Sequence, residues 1–265
     1  MECAEYYNKK QFATVSDALS MFKDDPLEHA PGSKYLYTTH GYTVLSAVIE
    51  GASGEKFTKL VLALLKDCGM HSTQLDENEK IISNRAKYYK RMKRNSRLVN
   101  VPEVDNSYKW AGGGLLSTVG DLLRFGNIML YSLQNNAEEQ TRFGQGLLNS
   151  DTVRMLWKPH ADIPQSQRKY GLGWFLNERK PDLEPTATPD FTWNHSGVIV
   201  HPGGAIGATS VLLLKPAEKG EPGHVRGICV AVLCNLQETA EMTKLAIDIA
   251  DQFQGLNQND CPADA

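Results

Sequence analysis

The spacing of apolar residues changes from a helical to a strand pattern along this chain. Helical spacing in the first half is carried by Val44, Leu45, Val48 and Ile49. Strand-like runs bounded by glycines follow later, at 170–175, 207–214 and 227–233. The stretch 239–253 returns to helical spacing, so we expect it to lie along a sheet. Helices in the middle of the chain, then strands and a final helix, predict an α+β fold.

Glycines and capping residues predict where several helices begin and end. Gly51 is placed to cap the helix that contains Val48, and Gly69 is placed to end a second helix that begins near Phe57. Thr118 precedes Asp121 by three residues, which is a capping pattern at the start of a helix. A shorter helix is predicted near 153–157.

Charge and hydropathy exclude some classes of function. The 265-residue chain has a net charge of −3 and a pI of about 6.2, which give no general attraction to nucleic acid. No apolar run approaches the roughly 20 residues that a membrane-spanning helix needs. One segment, 85–97, is rich in Lys and Arg. We interpret it as a solvated face; docking to an anionic surface is the alternative, and salt-sensitive binding would be its sign.

The cysteines argue against both a disulfide framework and a metal site. Their number is odd and they are scattered, at Cys3, Cys68, Cys229, Cys234 and Cys261. Cys229 and Cys234 lie five residues apart on a predicted strand, so their side chains point to opposite faces. We therefore expect free thiols in a reducing compartment, with neither a metal nor a cofactor.

The segment 37–42 holds the first candidate for chemistry. Tyr37 lies at the mouth of a predicted helix, where its phenol could approach a reacting hydroxyl. A tyrosine has a reference pKa of about 10, so a neighbouring ammonium must lower its pKa before it can act as a base near neutral pH. The alternative is an aromatic side chain that only packs.

A second candidate segment, 201–207, begins with His201 and precedes an apolar strand. Gly203 and Gly204 would let a substrate backbone approach closely, and His201 could bind or polarise an anionic group. A glycine-rich turn with a surface histidine is the alternative. His195 offers a similar pattern, but we favour His201 because the strand follows it directly.

The glycine-rich segment 110–118 resembles a phosphate-binding loop only in its glycines. It lacks the Lys-Ser/Thr pair of a P-loop and the spacing of a dinucleotide fingerprint. We therefore do not expect nucleotide binding.

Taken in order, four motifs resemble those of a known superfamily. They are Tyr-x-Thr-x-Gly-Tyr at 37–42, Ala-Gly-Gly-Gly-Leu-x-Ser-Thr-x-x-Asp-Leu at 111–122, Tyr-Gly-Leu-Gly-Trp at 170–174 and His-x-Gly-Gly-x-x-Gly at 201–207. Over about 12–253, the chain resembles the serine β-lactamase and penicillin-binding protein superfamily, and more closely its animal mitochondrial members. The resemblance implies part of a β-lactamase/transpeptidase-like fold, with an antiparallel sheet flanked by helices and a further helical region.

The resemblance also implies roles for particular residues. Tyr37 would be the base or proton shuttle, and His201 would stand where many relatives have the lysine of Lys-Thr-Gly. The strand after His201 would supply one backbone N–H of an oxyanion hole. Thr39, Gly203 and Gly204 would contact substrate. Thr39 replaces the usual asparagine, which removes an amide that would orient substrate. Pro202 replaces the usual threonine, which removes a hydroxyl and an N–H.

In the superfamily, the nucleophile is the serine of a Ser-x-x-Lys motif upstream of the tyrosine motif. We expect that region to be absent here and treat the patterns at Ser53 and Ser166 as coincidences, because both follow the tyrosine motif. Residues 1–265 would then be an incomplete domain with a disordered tail at 255–265. Losing the serine costs about a millionfold in turnover, so we expect the chain alone to be inactive.

By resemblance, the parent protein is a mitochondrial serine peptidase or esterase-type hydrolase that works through an acyl-enzyme. Its substrates would be peptides or small amides and esters, and its activity would affect lipid metabolism. No targeting segment is visible, so the mitochondrial location rests on the resemblance. A non-catalytic binding or filament-forming scaffold is the alternative, and a relocated nucleophile at Ser53 is a third reading.

Overall fold

The computed structural model describes residues 7–134, 146–166, 168–177, 197–216 and 227–254. These residues form two compact units. The first takes the described residues up to Asp121, together with Gly203–Thr209 and Leu233–Thr239. The second unit takes the described residues within Leu122–Pro202, within Ser210–Val232 and from Ala240 onwards. The predicted tail at 255–265 and the alternative histidine, His195, lie outside the described residues.

The first unit begins with helices. They are α1 at Val15–Ala18, a 3-10 turn at Leu19–Met21, α2 at Thr39–Ser53 and α3 at Phe57–Asp67. Helix α2 ends at Gly54, which has a φ of +70°, and not at Gly51 as the sequence predicts. Gly51 continues the helix, and the left-handed residue that stops it comes three positions later. Gly69 follows α3 with a φ of +69°, which confirms the predicted end of that helix.

Short strands and a glycine-rich helix complete the first unit. They are β1 at Gln74–Leu75, β2 at Tyr89–Arg91, β3 at Leu98–Asn100, a 3-10 turn at Ser107–Lys109, α4 at Trp110–Gly113 and β4 at Leu115–Leu116. Strand β1 pairs with β4, and β2 pairs with β3, both antiparallel. The segment 110–118 is therefore a helix followed by a strand.

Helix α2 packs through its polar side. Thr43 and Ser46 are fully buried, and the Thr43 hydroxyl donates a hydrogen bond of 2.8 Å to the carbonyl oxygen of Tyr108. Leu45 and Val48, on the opposite side, are 55% and 60% exposed. The apolar stripe that predicts this helix is thus directed away from the core of the first unit.

The second unit consists of a sheet with helices. Its elements are α5 at Val119–Gln134, which starts in the first unit, α6 at Ser150–Leu156, β5 at Ala161–Asp162, β6 at Arg168–Tyr170, β7 at Phe175–Asn177, β8 at Val198–Ala205, β9 at Ala208–Pro216, β10 at Gly227–Cys234 and α7 at Met242–Gln254. The sheet order is β10-β9-β8-β7-β6-β5. The amide of Asp121 donates to the Thr118 hydroxyl, as the capping pattern predicts.

The predicted strand at 170–175 is wrong, because this run is the turn of a hairpin. Tyr170 ends β6 and pairs with Phe175, which begins β7. Gly173 has a φ of +82°, which few other residues adopt. A side chain on Gly171 would collide with the carbonyl oxygen of Leu156. An apolar run this short does not distinguish one strand from two strand ends around a turn.

The core of the second unit joins helices to the sheet. Trp157, Ile199 and Leu214 are completely or almost completely buried. Trp174 stacks with Phe125 at 6.4 Å and meets Trp157 edge-on at 6.2 Å. Along the final helix, Ala246 and Ala250 are fully buried, and Asp251 forms an ion pair with Lys215 of β9 at 2.8 Å. The observed architecture is α+β, as predicted.

Within the described ranges, none of the helices combines the length and apolar character that crossing a bilayer requires.

Candidate active site

Tyr37 lies in the first unit, two residues before α2. The helix is capped by Thr38, whose hydroxyl accepts a hydrogen bond of 3.2 Å from the amide of His40. Tyr37 is 42% exposed, and its ring lies 5.8 Å from the ring of Tyr42 in a tilted arrangement. The phenol is therefore accessible near a helix N-terminus, as the sequence predicts.

The surroundings of Tyr37 do not favour its ionised form. Burial raises the pKa of the Tyr37 phenol above its usual value, and Tyr42 and Tyr35 raise it further. At neutral pH the phenol is thus protonated and can donate a hydrogen bond. A role as a base requires a neighbouring cation that lowers this pKa.

Thr39 is the first residue of α2, and the glycine-rich segment packs directly against it. A Cβ on Gly112 would lie 2.8 Å from the Thr39 methyl group, which is closer than real Cβ contacts allow. The hydrogen bond from Thr43 to Tyr108 fixes the same two segments together one turn further along. Gly112 of α4 therefore serves close packing against the Tyr-x-Thr motif, a role that the motif by itself does not reveal.

A buried polar network lies beside this segment. Asp76 accepts hydrogen bonds from Tyr88 at 3.1 Å and Asn106 at 3.0 Å, and it forms an ion pair with Arg85. Burial raises the pKa of Asp76, while Arg85 acts to lower it; burial also lowers the pKa of the buried Lys109. Burial and Asp76 raise the pKa of Tyr88 to about 12. Through Asp76, the network thus joins the residues just before β2 to Asn106, which follows β3 and leads into α4.

His201 belongs to the second unit and lies within β8, so the glycine-rich-turn alternative is wrong. Its ring is partly buried, 5.5 Å from the ring of Phe175. Burial lowers the pKa of the imidazole, and its Nδ1 lies 2.9 Å from the carbonyl oxygen of Pro202. With Nδ1 donating to that oxygen, Nε2 is left as an acceptor. At neutral pH, His201 is a hydrogen-bonding group and not a cation.

Gly203 and Gly204 continue β8 but belong to the first unit, as do Tyr37 and Thr39. Gly204 is exposed, and a Cβ built on it would meet nothing within 4 Å. The backbone there is open to an approaching ligand. Gly207, in the turn after β8, has a φ of +79° and leaves no room for a side chain beneath Tyr88.

Comparison with known proteins identifies the family. The sequence matches the β-lactamase family model over residues 4–254. The chain belongs to the β-lactamase family. It is 41% identical to the bovine mitochondrial serine β-lactamase-like protein LACTB over 95% of this chain and 46% of that protein. It thus spans about half the length of the curated relatives that it matches, and the resemblance noted from the motifs is confirmed.

Solved structures agree with the fold expected of a β-lactamase family member. A penicillin-binding protein from Bacillus halodurans superposes with a TM-score of 0.64 at 19% identity, covering 90% of this chain and 63% of that one. A D-stereospecific amidohydrolase from Streptomyces superposes with a TM-score of 0.66 at 17% identity, covering 93% and 62%. At these identities the comparisons show the fold alone.

The serine nucleophile of this family lies in a Ser-x-x-Lys pattern, and the chain contains three such patterns. A third pattern, Ser20 to Lys23, lies upstream of Tyr37, and the expected absence of the nucleophile stays a prediction. The Ser20 hydroxyl donates to the carbonyl oxygen of Asp17 at 2.7 Å. The side chain of Lys23 is 62% exposed and 3.8 Å from Asp24.

Ser53 and Ser166 are no better placed. Ser53 is the last residue of α2, and Thr39 is the first, so about 21 Å of helix separates Ser53 from the tyrosine motif. Its hydroxyl donates to the carbonyl oxygen of Ile49 at 2.7 Å. Ser166 lies exposed in the second unit and accepts from the amide of Arg168 at 3.0 Å. These contacts support the interpretation of both patterns as coincidences.

Among the described residues, no group of three or more His, Cys, Asp or Glu side chains could hold a metal ion. The expectation that this chain needs no cofactor stays a prediction.

Proposed function

We propose that these 265 residues carry the later part of a serine hydrolase site that cleaves peptide or small amide and ester bonds through an acyl-enzyme. Tyr37 moves protons, His201 hydrogen-bonds the substrate, and Thr39, Gly203 and Gly204 line the substrate path. The observation that carries the proposal is the Tyr-x-Thr motif at the mouth of α2, held by the close approach of Gly112 to Thr39. The name of the bovine relative supports a mitochondrial location, and a role in lipid metabolism is part of the same proposal.

The proposal gives the chain no hydrolytic activity of its own. The Ser20 and Ser53 hydroxyls donate to backbone carbonyl oxygens, Ser166 lies exposed, and burial raises the pKa of Tyr37. In this proposal, a serine and a lysine supplied from outside these residues complete the site. The lysine ammonium would lower the pKa of Tyr37, and the serine would receive the acyl group.

The first test is covalent labelling of the purified chain with a fluorophosphonate, which reacts with activated serines. We expect no label. Parallel samples of Ser20→Ala and Ser53→Ala identify the serine if any label appears. Label that is lost in either variant would place the nucleophile within this chain and overturn this part of the proposal.

The second test reads the 5′ end of the natural transcript for codons upstream of Met1. If they encode a Ser-x-x-Lys helix, the longer protein should hydrolyse amide or ester substrates. In that protein, Tyr37→Phe should lower kcat by about a hundredfold to ten-thousandfold, the usual range for lost proton transfer. Tyr42→Phe is the matched control because it removes a neighbouring phenol that has no assigned role. Equal activity of the two variants would argue against Tyr37 as the proton carrier.

A non-catalytic, filament-forming scaffold is the second candidate, favoured by the apolar side of α2. Four apolar residues on that side are exposed: Val44, Leu45, Val48 and Ile49. A contiguous apolar surface of this kind is typical of an association surface. Mass measured by light scattering should then rise with protein concentration while fluorophosphonate labelling stays absent. A constant monomer mass would exclude the scaffold.

A further inference from the structure

One carboxylate oxygen of the buried Asp76 joins two separate segments of the first unit. Its Oδ2 accepts a hydrogen bond of 3.1 Å from the Tyr88 hydroxyl, just before β2, and one of 3.0 Å from the Asn106 side chain, which follows β3. Arg85 balances the charge through the other oxygen, Oδ1. Asp76 is only 6% exposed, and hydrogen bonds are stronger where water is excluded. The two segments therefore share one firm point of attachment.

The Asn106 segment leads from Asp76 to Thr39. Asn106 comes before α4, and the amide of Asp76 donates to the carbonyl oxygen of Gly114, just after α4, at 2.8 Å. Asp76 is thus attached to the chain on both sides of this short helix. Within the helix, Gly112 packs closely against the methyl group of Thr39. A displacement of Asp76 would therefore be transmitted through α4 to the start of α2.

The Tyr88 segment leads from Asp76 to the end of β8. Tyr88 packs against Gly207 so closely that no side chain on this glycine would fit. The amide of Gly207 donates to the side-chain oxygen of Gln237 at 3.3 Å, and the amide of Gln237 donates to the carbonyl oxygen of Tyr89 at 2.9 Å. These contacts attach the turn after β8 to residues 88 and 89. The position of Gly204, three residues before that turn glycine, therefore depends on the same segment.

These contacts give Asp76 a role in the proposed site as well as in the fold. We propose that Asp76 is a positioning residue of the site and acts through Tyr88 and Asn106. It fixes the separation between Thr39 and Gly203–Gly204, which all line the proposed substrate path. This inference rests on the proposed function, because it concerns the same site. Its physical basis is that a reaction slows steeply when the groups that hold the substrate are displaced by about 1 Å.

The first test measures amide hydrogen exchange in the 265-residue chain by mass spectrometry, with and without Tyr88→Phe. This substitution removes only the hydroxyl that reaches Asp76. We expect the amides of 112–114 and of 203–207 to exchange about tenfold to a hundredfold faster, the range for losing a hydrogen bond to a charged group. Tyr89→Phe is the matched control, because it removes the neighbouring phenol and keeps the backbone hydrogen bonds of residue 89. Faster exchange confined to the residues next to position 88 would overturn the proposal.

The second test measures turnover in the longer protein that supplies the serine and the lysine, with active enzyme counted by fluorophosphonate labelling to completion. Tyr88→Phe should lower kcat per labelled enzyme by about tenfold to a hundredfold, with a smaller change in KM, and Tyr89→Phe should not. A residue that only stabilises the fold would change the amount of active enzyme and leave kcat per labelled enzyme unchanged.

The two tests separate this inference from the proposed function. If the unsubstituted longer protein hydrolyses no ester or amide, the proposed function fails, and the exchange measurement alone decides whether Asp76 positions these segments. If that protein is active and Tyr88→Phe has the same kcat as Tyr89→Phe, the proposed function stands and the positioning role of Asp76 is wrong.

Discussion

The two units of this chain use their apolar residues in opposite ways. In the second unit, large apolar side chains such as Trp157, Ile199 and Leu214 are buried between helices and sheet. In the first unit, α2 buries Thr43 and Ser46 and exposes Leu45 and Val48. Large apolar side chains thus fill the core of the second unit, whereas α2 of the first unit directs its apolar side outwards.

This contrast has a thermodynamic consequence. Burial of apolar surface is the dominant favourable contribution to folding, at roughly 25 cal/mol for each Å² removed from water. The hydrogen bonds on the inner side of α2 each contribute only about 1 kcal/mol net. We therefore expect substitutions in the core of the second unit to lower stability most. Substitutions on the outer side of α2 should instead alter association between chains.

The largest effect is expected at Trp157, in the core of the second unit. Its side chain is almost completely buried and meets Trp174 edge-on. Trp157→Ala should lower the free energy of unfolding by about 3–5 kcal/mol, because it removes buried apolar contacts and leaves a cavity. Urea unfolding followed by circular dichroism measures this. Met155→Ala changes an exposed side chain of α6, the helix that ends just before Trp157, and its effect should stay within about 0.5 kcal/mol. Similar losses in both variants would mean that this core is not closely packed.

The next effect is expected where the first unit is tightly packed, between α4 and α2. Gly112→Ala should destabilise by about 1–3 kcal/mol, because the new methyl group would lie 2.8 Å from the Thr39 side chain. Gly113→Ala, one residue later in the same helix, meets nothing within 4 Å and should be neutral or slightly stabilising. The difference between the two midpoints in urea is the measurement. No difference would show that Thr39 does not depend on Gly112.

A smaller effect is expected from pH through His201. Burial lowers the pKa of this imidazole in the folded chain, so the unfolded state binds more protons below about pH 6.5. His201 therefore contributes stability that is complete above that pH and is lost as pH falls towards the folded-state pKa. His201→Gln should flatten the pH dependence of the urea midpoint in this range. His71→Gln, at an exposed position, is the control substitution. An unchanged slope in His201→Gln would contradict the burial of its ring.

Much of the fold could be predicted where the signal is local. Gly69 and the Thr118 cap mark helix ends through interactions within a few residues, and both predictions are confirmed. The hairpin at 170–175 could not be predicted, because its turn depends on Gly171 packing beneath Leu156. Either Gly51 or Gly54 can stop a helix, and only the backbone shows that Gly54 is the left-handed residue at the end of α2.

In the candidate site, too, local features could be predicted from the sequence and long-range contacts could not. Motif order places Tyr37 and Thr39 at the mouth of a helix, which is a local property. The network around Asp76 was not predictable, because its partner Asn106 lies thirty positions away along the chain. The direction of the pKa shift at Tyr37 depends on burial and on Tyr42 and Tyr35, so it also required the structure. Periodicity likewise identifies the apolar side of α2 but not which side is buried.

The smallest effect on stability is expected on the outer side of α2, and this is the sharpest test of the contrast between the units. Leu45→Gln with Val48→Gln should change the free energy of unfolding by no more than about 0.5 kcal/mol for each substitution, because both side chains are exposed. The same change should weaken any concentration-dependent rise in mass seen by light scattering. Met155→Gln with Leu172→Gln is the control, since it removes two exposed apolar side chains of the second unit. If the α2 variant instead lost as much stability as Trp157→Ala, its apolar side would be part of a core, and the two units would bury apolar surface in the same way.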